Sequence, residues 1–135
     1  MSCKSSVYMA NTNAATVSEN SAIPLGSVIR RYGFSVNGTT GGIVLNETGY
    51  YLVTATITFT APAAGDATIT LQQDGVSVVG ATASATVTTA TTEINTITVN
   101  GIVRVVCGSA PDTITLQNAG IAIDVSNVSI TAVKI

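Results

Sequence analysis

The chain is predicted to be an all-β sandwich of about ten short antiparallel strands in two sheets, on three observations. Of its 135 residues, 22 are Thr, 17 Val and 13 Ile, against five Leu and no Trp or His. β-Branched side chains suit a pleated, half-buried surface, so this is a sheet composition. Hydrophobic alternation has period two almost throughout, and helical periodicity is missing. Strand-like runs also recur every 8 to 12 residues, the spacing of a sandwich. One domain of this size buries roughly two thirds of its unfolded surface, enough for a core without metal or disulfide.

Taken in order, Val7 to Ala10 reads as a short strand and Asn11 to Ser21 as a polar connection. Pro24 biases Ile23 to extended backbone, so Ile23-Pro24-Leu25 leads into a strand at Val28 to Tyr32. Phe34 to Val36 and Ile43 to Leu45 flank a glycine-rich tip, Asn37 to Gly42, which lacks the Gly-Lys-Ser/Thr of a phosphate loop. The run Tyr51 to Thr60 places Tyr51, Val53, Ala55, Ile57 and Phe59 on one face and a threonine ladder, from Thr54 onward, on the other. Ala67 to Gln73 and Val76 to Val79 are joined by Asp74-Gly75, residues that accept the positive φ of a type I′ turn. Ala81 to Glu93 reads as a strand followed by a ragged loop. Ile94 to Val99 and Ile102 to Cys107 are separated by Asn100-Gly101, which is either a second hairpin or a bulge in one long strand. Thr113 to Gln117, Ile121 to Val125 and Val128 to Ile135 complete the chain, the last two broken by Ser126-Asn127.

Charge and residue inventory narrow the function. Five basic and seven acidic residues give a net charge of −2, too little for counterion-driven binding to nucleic acid or an anionic membrane. Without histidine the usual general base and metal ligand are missing, and two cysteines do not make a zinc site. The expectation is a protein that is not an enzyme and takes no cofactor. No secretory signal is read at the start, so synthesis in a host cytoplasm is expected, with Cys3 and Cys107 as free thiols. Arg30 and Arg31 sit on one strand and point to opposite faces, so they form no phosphate clamp. A chain with 9% charged residues carries too little polar surface for a monomer, and some apolar surface is expected between subunits.

The segment Gly42-Ile43-Val44-Leu45-Asn46-Glu47-Thr48-Gly49-Tyr50-Tyr51-Leu52-Val53 resembles the jelly-roll superfamily of tumour necrosis factor and complement globular heads, with Val53 at the position of an expected aromatic. The likeness is strongest to bacterial members, the C-terminal domains of collagen-like spore-surface glycoproteins and small proteins of Firmicutes phages. It runs through Asn11-Thr12, Ile23-Pro24-Leu25, Gln73-Asp74-Gly75 and Pro111-Asp112-Thr113-Ile114-Thr115-Leu116-Gln117-Asn118, with Pro111 in place of a family glycine. No collagen repeat is read ahead of the domain, so a free-standing phage module fits better than the spore-coat architecture. The resemblance implies a jelly roll that associates as a homotrimer, and it favours a bulge or bend at Asn100-Gly101.

The last strand supports that implication. Val128, Ile130 and Ala132 alternate toward one face and Val133 and Ile135 toward the other, so both faces ask for cover. Tyr8, Tyr50, Tyr51, Val128, Ile130, Val133 and Ile135 are the expected trimer-interface residues. Residues 1–21 read as an N-terminal strand and polar arm that docks on a phage capsid, with Cys3, Lys4 and Tyr8 as anchor; residues 22–135 form the rest of the same domain. Asp66, Asp74, Asp112 and Asp124 read as turn caps rather than calcium ligands. The resulting expectation is a virion structural protein on a phage head, a trimeric capsid decoration or head-fibre knob partnered by the capsid protein. The alternatives are an adhesin knob whose loops, Gly38 to Gly42 and Thr88 to Glu93, grip a host surface glycan or receptor, and a spore-surface domain.

Overall fold

The computed structural model describes residues 5–39, 41–108 and 110–135. Among these are eleven strands and no helix: β1 (Ser6–Asn11), β2 (Ala15–Val17), β3 (Ser27–Tyr32), β4 (Val36–Thr39), β5 (Gly42–Leu45), β6 (Gly49–Thr60), β7 (Gly65–Gln73), β8 (Val76–Val87), β9 (Asn95–Val105), β10 (Asp112–Asn118) and β11 (Ile123–Lys134). One sheet has the order β3-β1-β11-β6-β9, with β2 also pairing β11; the second has the order β4-β5-β10-β7-β8. Every strand pairing is antiparallel.

The core lies between the sheets and is built by the alternation itself. Tyr51, Val53, Ala55, Ile57 and Phe59 of β6 are buried in one core cluster with Ile69 and Leu71 of β7 and Ile114 and Leu116 of β10. No buried side-chain nitrogen or oxygen among the described residues lacks a hydrogen-bond partner, as a well-packed native interior requires. The Asp74-Gly75 turn adopts positive φ at both positions, 52° and 83°, which matches the right-handed twist of the strands it joins.

Four local expectations change. The connection Asn11 to Ser21 contains β2, which adds onto β11; three residues flanked by polar side chains are too few to show a period. Phe34 belongs to the turn before β4 rather than to the strand. Asn100-Gly101 is neither hairpin nor bulge: β9 runs straight through it, with Asn100 opposite Thr54 and Gly101 opposite Val53 in unbroken register. Ser126-Asn127 is a register shift inside a continuous β11, not a break. In both long strands, pairing along β6 overrides the local turn chemistry.

β11 also corrects the expectation of a strand apolar on both sides. It lies between β1 and β6 in its own sheet. Its inner residues Val128, Ile130 and Ala132 are buried in the core, while Ser129, Thr131 and Val133 alternate with them on the outer face, so that face is apolar only at its C-terminal end.

Candidate subunit interface

The outer face of the five-stranded path is divided into two zones by register alone. One row across the sheet reads Tyr32, Ser6, Val133, Leu52 and Ile102, on β3, β1, β11, β6 and β9. Beside it at the sheet end, Tyr50 lies opposite Arg104, and Ile135 donates its backbone N–H to the Tyr50 carbonyl at 2.9 Å. The next row inward reads Arg30, Tyr8, Thr131, Thr54 and Asn100. Beyond it the face is hydroxyl: Thr56 and Thr98 approach at 3.4 Å, Thr58 and Thr96 at 3.3 Å.

The first zone is apolar and solvent-facing. Tyr50 is 52% exposed, Leu52 44%, Ile102 58%, Tyr32 56% and Ile135 56%, fractions that a core-facing alternation does not produce. Arg104 places its guanidinium carbon 5.9 Å from the Tyr50 ring centre, within the range of cation–π attraction. Aromatic residues, arginine and branched aliphatics in one contiguous patch are the composition of an interface centre.

The rim is polar and ordered. Lys134 Nζ lies 3.3 Å from Glu47 Oε2, and Ser35 Oγ donates to Glu47 Oε1 at 2.7 Å. The Ser35 hydroxyl first, then Lys134, hold the Glu47 carboxyl below its ordinary range. Beneath this rim, the Tyr51 hydroxyl donates to the Glu47 carbonyl at 2.7 Å, which fixes the β5–β6 turn.

The expected interface residues therefore separate. Tyr8, Tyr50, Val133 and Ile135 lie on or at the end of this outer face, exposed or half-buried. Tyr51, Val128 and Ile130 do not: each has 0% exposure in the core, because the alternation that exposes Tyr50 and Val133 turns their neighbours inward. Of the anchor residues, Tyr8 is part of the sheet face, while Cys3 and Lys4 lie outside the described residues. Leu52, Ile102 and Arg104 were not singled out from the sequence. Leu52 is legible as an aliphatic residue at an even position of β6, beside Tyr50 on the face that otherwise carries threonine; Ile102 requires knowing that β9 is a single strand.

The carboxylates are spent on local structure. Asp74 accepts from the Thr113 N–H at 2.8 Å, Asp66 from Thr86 at 2.9 Å and Asp124 from Thr16 at 2.8 Å. Asp112, expected in a turn, is 2% exposed and accepts from Gln73 Nε2 at 2.7 Å. Among the described residues no three His, Cys, Asp or Glu side chains come together to hold a metal ion. Cys107 is an exposed free thiol. Arg31 donates to the Val36 carbonyl at 2.8 Å, bracing edge strand β3 against β4.

No protein-family model matches the chain, and no curated protein matches it by sequence. Solved structures match it nearly end to end. Murine APRIL, of the tumour-necrosis-factor family, is 13% identical with a TM-score of 0.76, covering 98% of this chain and 100% of its own. The globular domain of zebrafish complement 1qA is 7% identical with a TM-score of 0.67, over 96% of this chain and 95% of its own. The vertex protein P5 of PRD1 is 18% identical with a TM-score of 0.61, over 97% of this chain and 96% of its own. At these identities the likeness speaks to architecture: the chain has the two-sheet jelly roll of tumour necrosis factor and complement heads.

Proposed function

We propose that this protein is a non-enzymatic, homotrimeric knob on a phage virion, a capsid decoration or head-fibre domain whose work is binding and bracing. The observation that carries the reading is the apolar zone on the outer face of the β3-β1-β11-β6-β9 sheet. It joins Leu52, Ile102, Tyr50, Tyr32 and Val133 in one patch on a chain with very little charge. Such a patch in water costs free energy in proportion to its area, and covering it with other subunits removes that cost. Threefold closure, which the family resemblance implies, leaves no patch open to further growth. The virion assignment draws on the structural likeness to the PRD1 vertex protein. The N-terminal residues, Cys3 and Lys4 among them, supply the capsid contact, and three arms acting together bind more tightly than one.

Sedimentation of the purified protein tests the assembly. A single species near three times 13.6 kDa is expected, and a monomer across the micromolar range would overturn it. Mass spectrometry and antibody labelling of purified particles of the phage that encodes the chain test the location. Particles free of it would remove the virion role and leave the trimer standing.

A further inference from the structure

We propose that a groove at the opposite end of the same sheet, between the end of β1 and the start of β3, is a binding site for a neutral pyranose sugar. The groove is open to solvent, with a volume of about 390 Å³, and is lined by Ala10, Asn11, Thr12, Asn13, Gly26, Ser27 and Ile29. That volume sits at the small end of the range of ligand sites and suits a single ring rather than a peptide.

Three features of the backbone build it. The β1–β3 pairing shifts register between Tyr8 and Met9, so that Tyr8 faces Arg30 while Met9 faces Val28. Ile29 is the extra residue of this bulge, and bulges re-aim side chains in this way. It lines the groove and is 50% exposed. Gly26, at φ +79°, sets the chain against the Ala10 carbonyl; a Cβ there would clash with that oxygen. Asn11 fixes the wall, its Nδ2 donating to the Pro24 carbonyl at 3.3 Å and its Oδ1 accepting from the Asn13 N–H at 3.0 Å.

The lining chemistry selects the ligand. None of the seven residues is charged, so an anion or cation finds no partner. The Thr12 hydroxyl, the Asn13 side-chain amide and the Ser27 hydroxyl have no hydrogen-bond partner among the described residues. Ala10 and Ile29 present an aliphatic surface beside them. Donors and acceptors without charge, set next to a small apolar surface, complement a ring that has hydroxyls at its rim and C–H groups on one face.

The test is a titration of the isotope-labelled protein with methyl α-glucopyranoside, methyl β-galactopyranoside and N-acetylglucosamine, read by amide chemical shifts, with glycerol as the control. Saturable shifts of the Asn11, Thr12, Asn13, Ser27 and Ile29 amides with at least one pyranose, and none with glycerol, are expected. Ile29→Asp, which removes the apolar surface from an exposed position, is expected to weaken binding about tenfold or more; Ser27→Ala is expected to weaken it by a smaller factor. Shifts that fail to saturate with every sugar, equal shifts with glycerol, or unchanged affinity in both variants would overturn the site. The sedimentation result is independent of all of these, so loss of the sugar site leaves the assembly reading untouched.

Discussion

Asn118 is fully buried at the end of β10, where three segments of chain converge. Its side-chain nitrogen lies 2.9 Å from the Ile121 carbonyl, 3.2 Å from that of Val17 and 3.3 Å from that of Ser18, while its Oδ1 accepts from the Gly120 N–H at 3.1 Å. Removing the amide leaves the buried Val17 carbonyl and the part-buried Ile121 carbonyl and Gly120 N–H without their partner, and a buried group left unpaired costs about 1–3 kcal/mol. Asn118→Ala is therefore expected to lose about 3 kcal/mol of unfolding free energy in urea titration; a loss no larger than that of a surface substitution would show the site to be wet. Glu93 organises the β8–β9 connection differently, through charge. The Asn95 amide, the Thr88 hydroxyl and the Thr88 and Thr89 N–H groups all donate to its carboxylate. Led by Asn95, they lower its pKa from 4.5 to about 2. Because the folded value lies below the unfolded one, the stabilisation is present above about 4.5 and is lost as pH falls toward 2. Wild type is expected to melt above Glu93→Gln at neutral pH, with the two converging through that window. Parallel melting curves would show that the carboxylate's charge contributes nothing.

At the scale of elements, Gly101 is where β8 and β9 close the side of the sandwich. A Cβ at this position would lie 3.2 Å from the Ala81 Cβ and 3.7 Å from Val78, so the strand edges meet only because no side chain stands between them. Gly101→Val is expected to cost about 2 kcal/mol by overpacking, and its amide-exchange protection should fall first in β8 and β9. Protection lost first elsewhere would move the closure to other residues. The same glycine shows what the sequence could and could not reveal. In β6, burial of one face writes a period of two directly into the chain, and Tyr51 to Phe59 could be read without coordinates. In β9 the equivalent alternation, Ile97, Val99, Gly101, Val103 and Val105, is interrupted by a glycine required by a distant strand, and a local reading sees a turn. Tyr51, Val128 and Ile130, expected at an interface, lie in the core of the single chain. Alternation separates an inner from an outer face, as the threonine ladder of β6 shows, but which outer-face residues lie side by side is settled only by the register across the sheet.

For the whole molecule, the decisive quantity is how stability depends on concentration. If the apolar zone is buried between subunits, folding and association are linked, and the melting temperature rises with protein concentration. Leu52 lies at the centre of the zone, between Val133 and Ile102, and is 44% exposed within one chain. A charge there enters no core and should leave the monomer sandwich intact, yet in an assembly it would be buried without a partner, a change that breaks interfaces. Leu52→Glu is therefore expected to sediment as a monomer that keeps its β-sheet circular dichroism and melts at a temperature independent of concentration. Thr56→Glu, four residues along β6 on the same face and in the hydroxyl zone, tests whether the seal is confined to the apolar end. It should retain the assembly if that zone stays wet around the axis, and dissociate it if the subunits meet along the full length of the sheet. An assembly that survives Leu52→Glu would place the contact on another surface and remove the physical basis for a trimer built on this face.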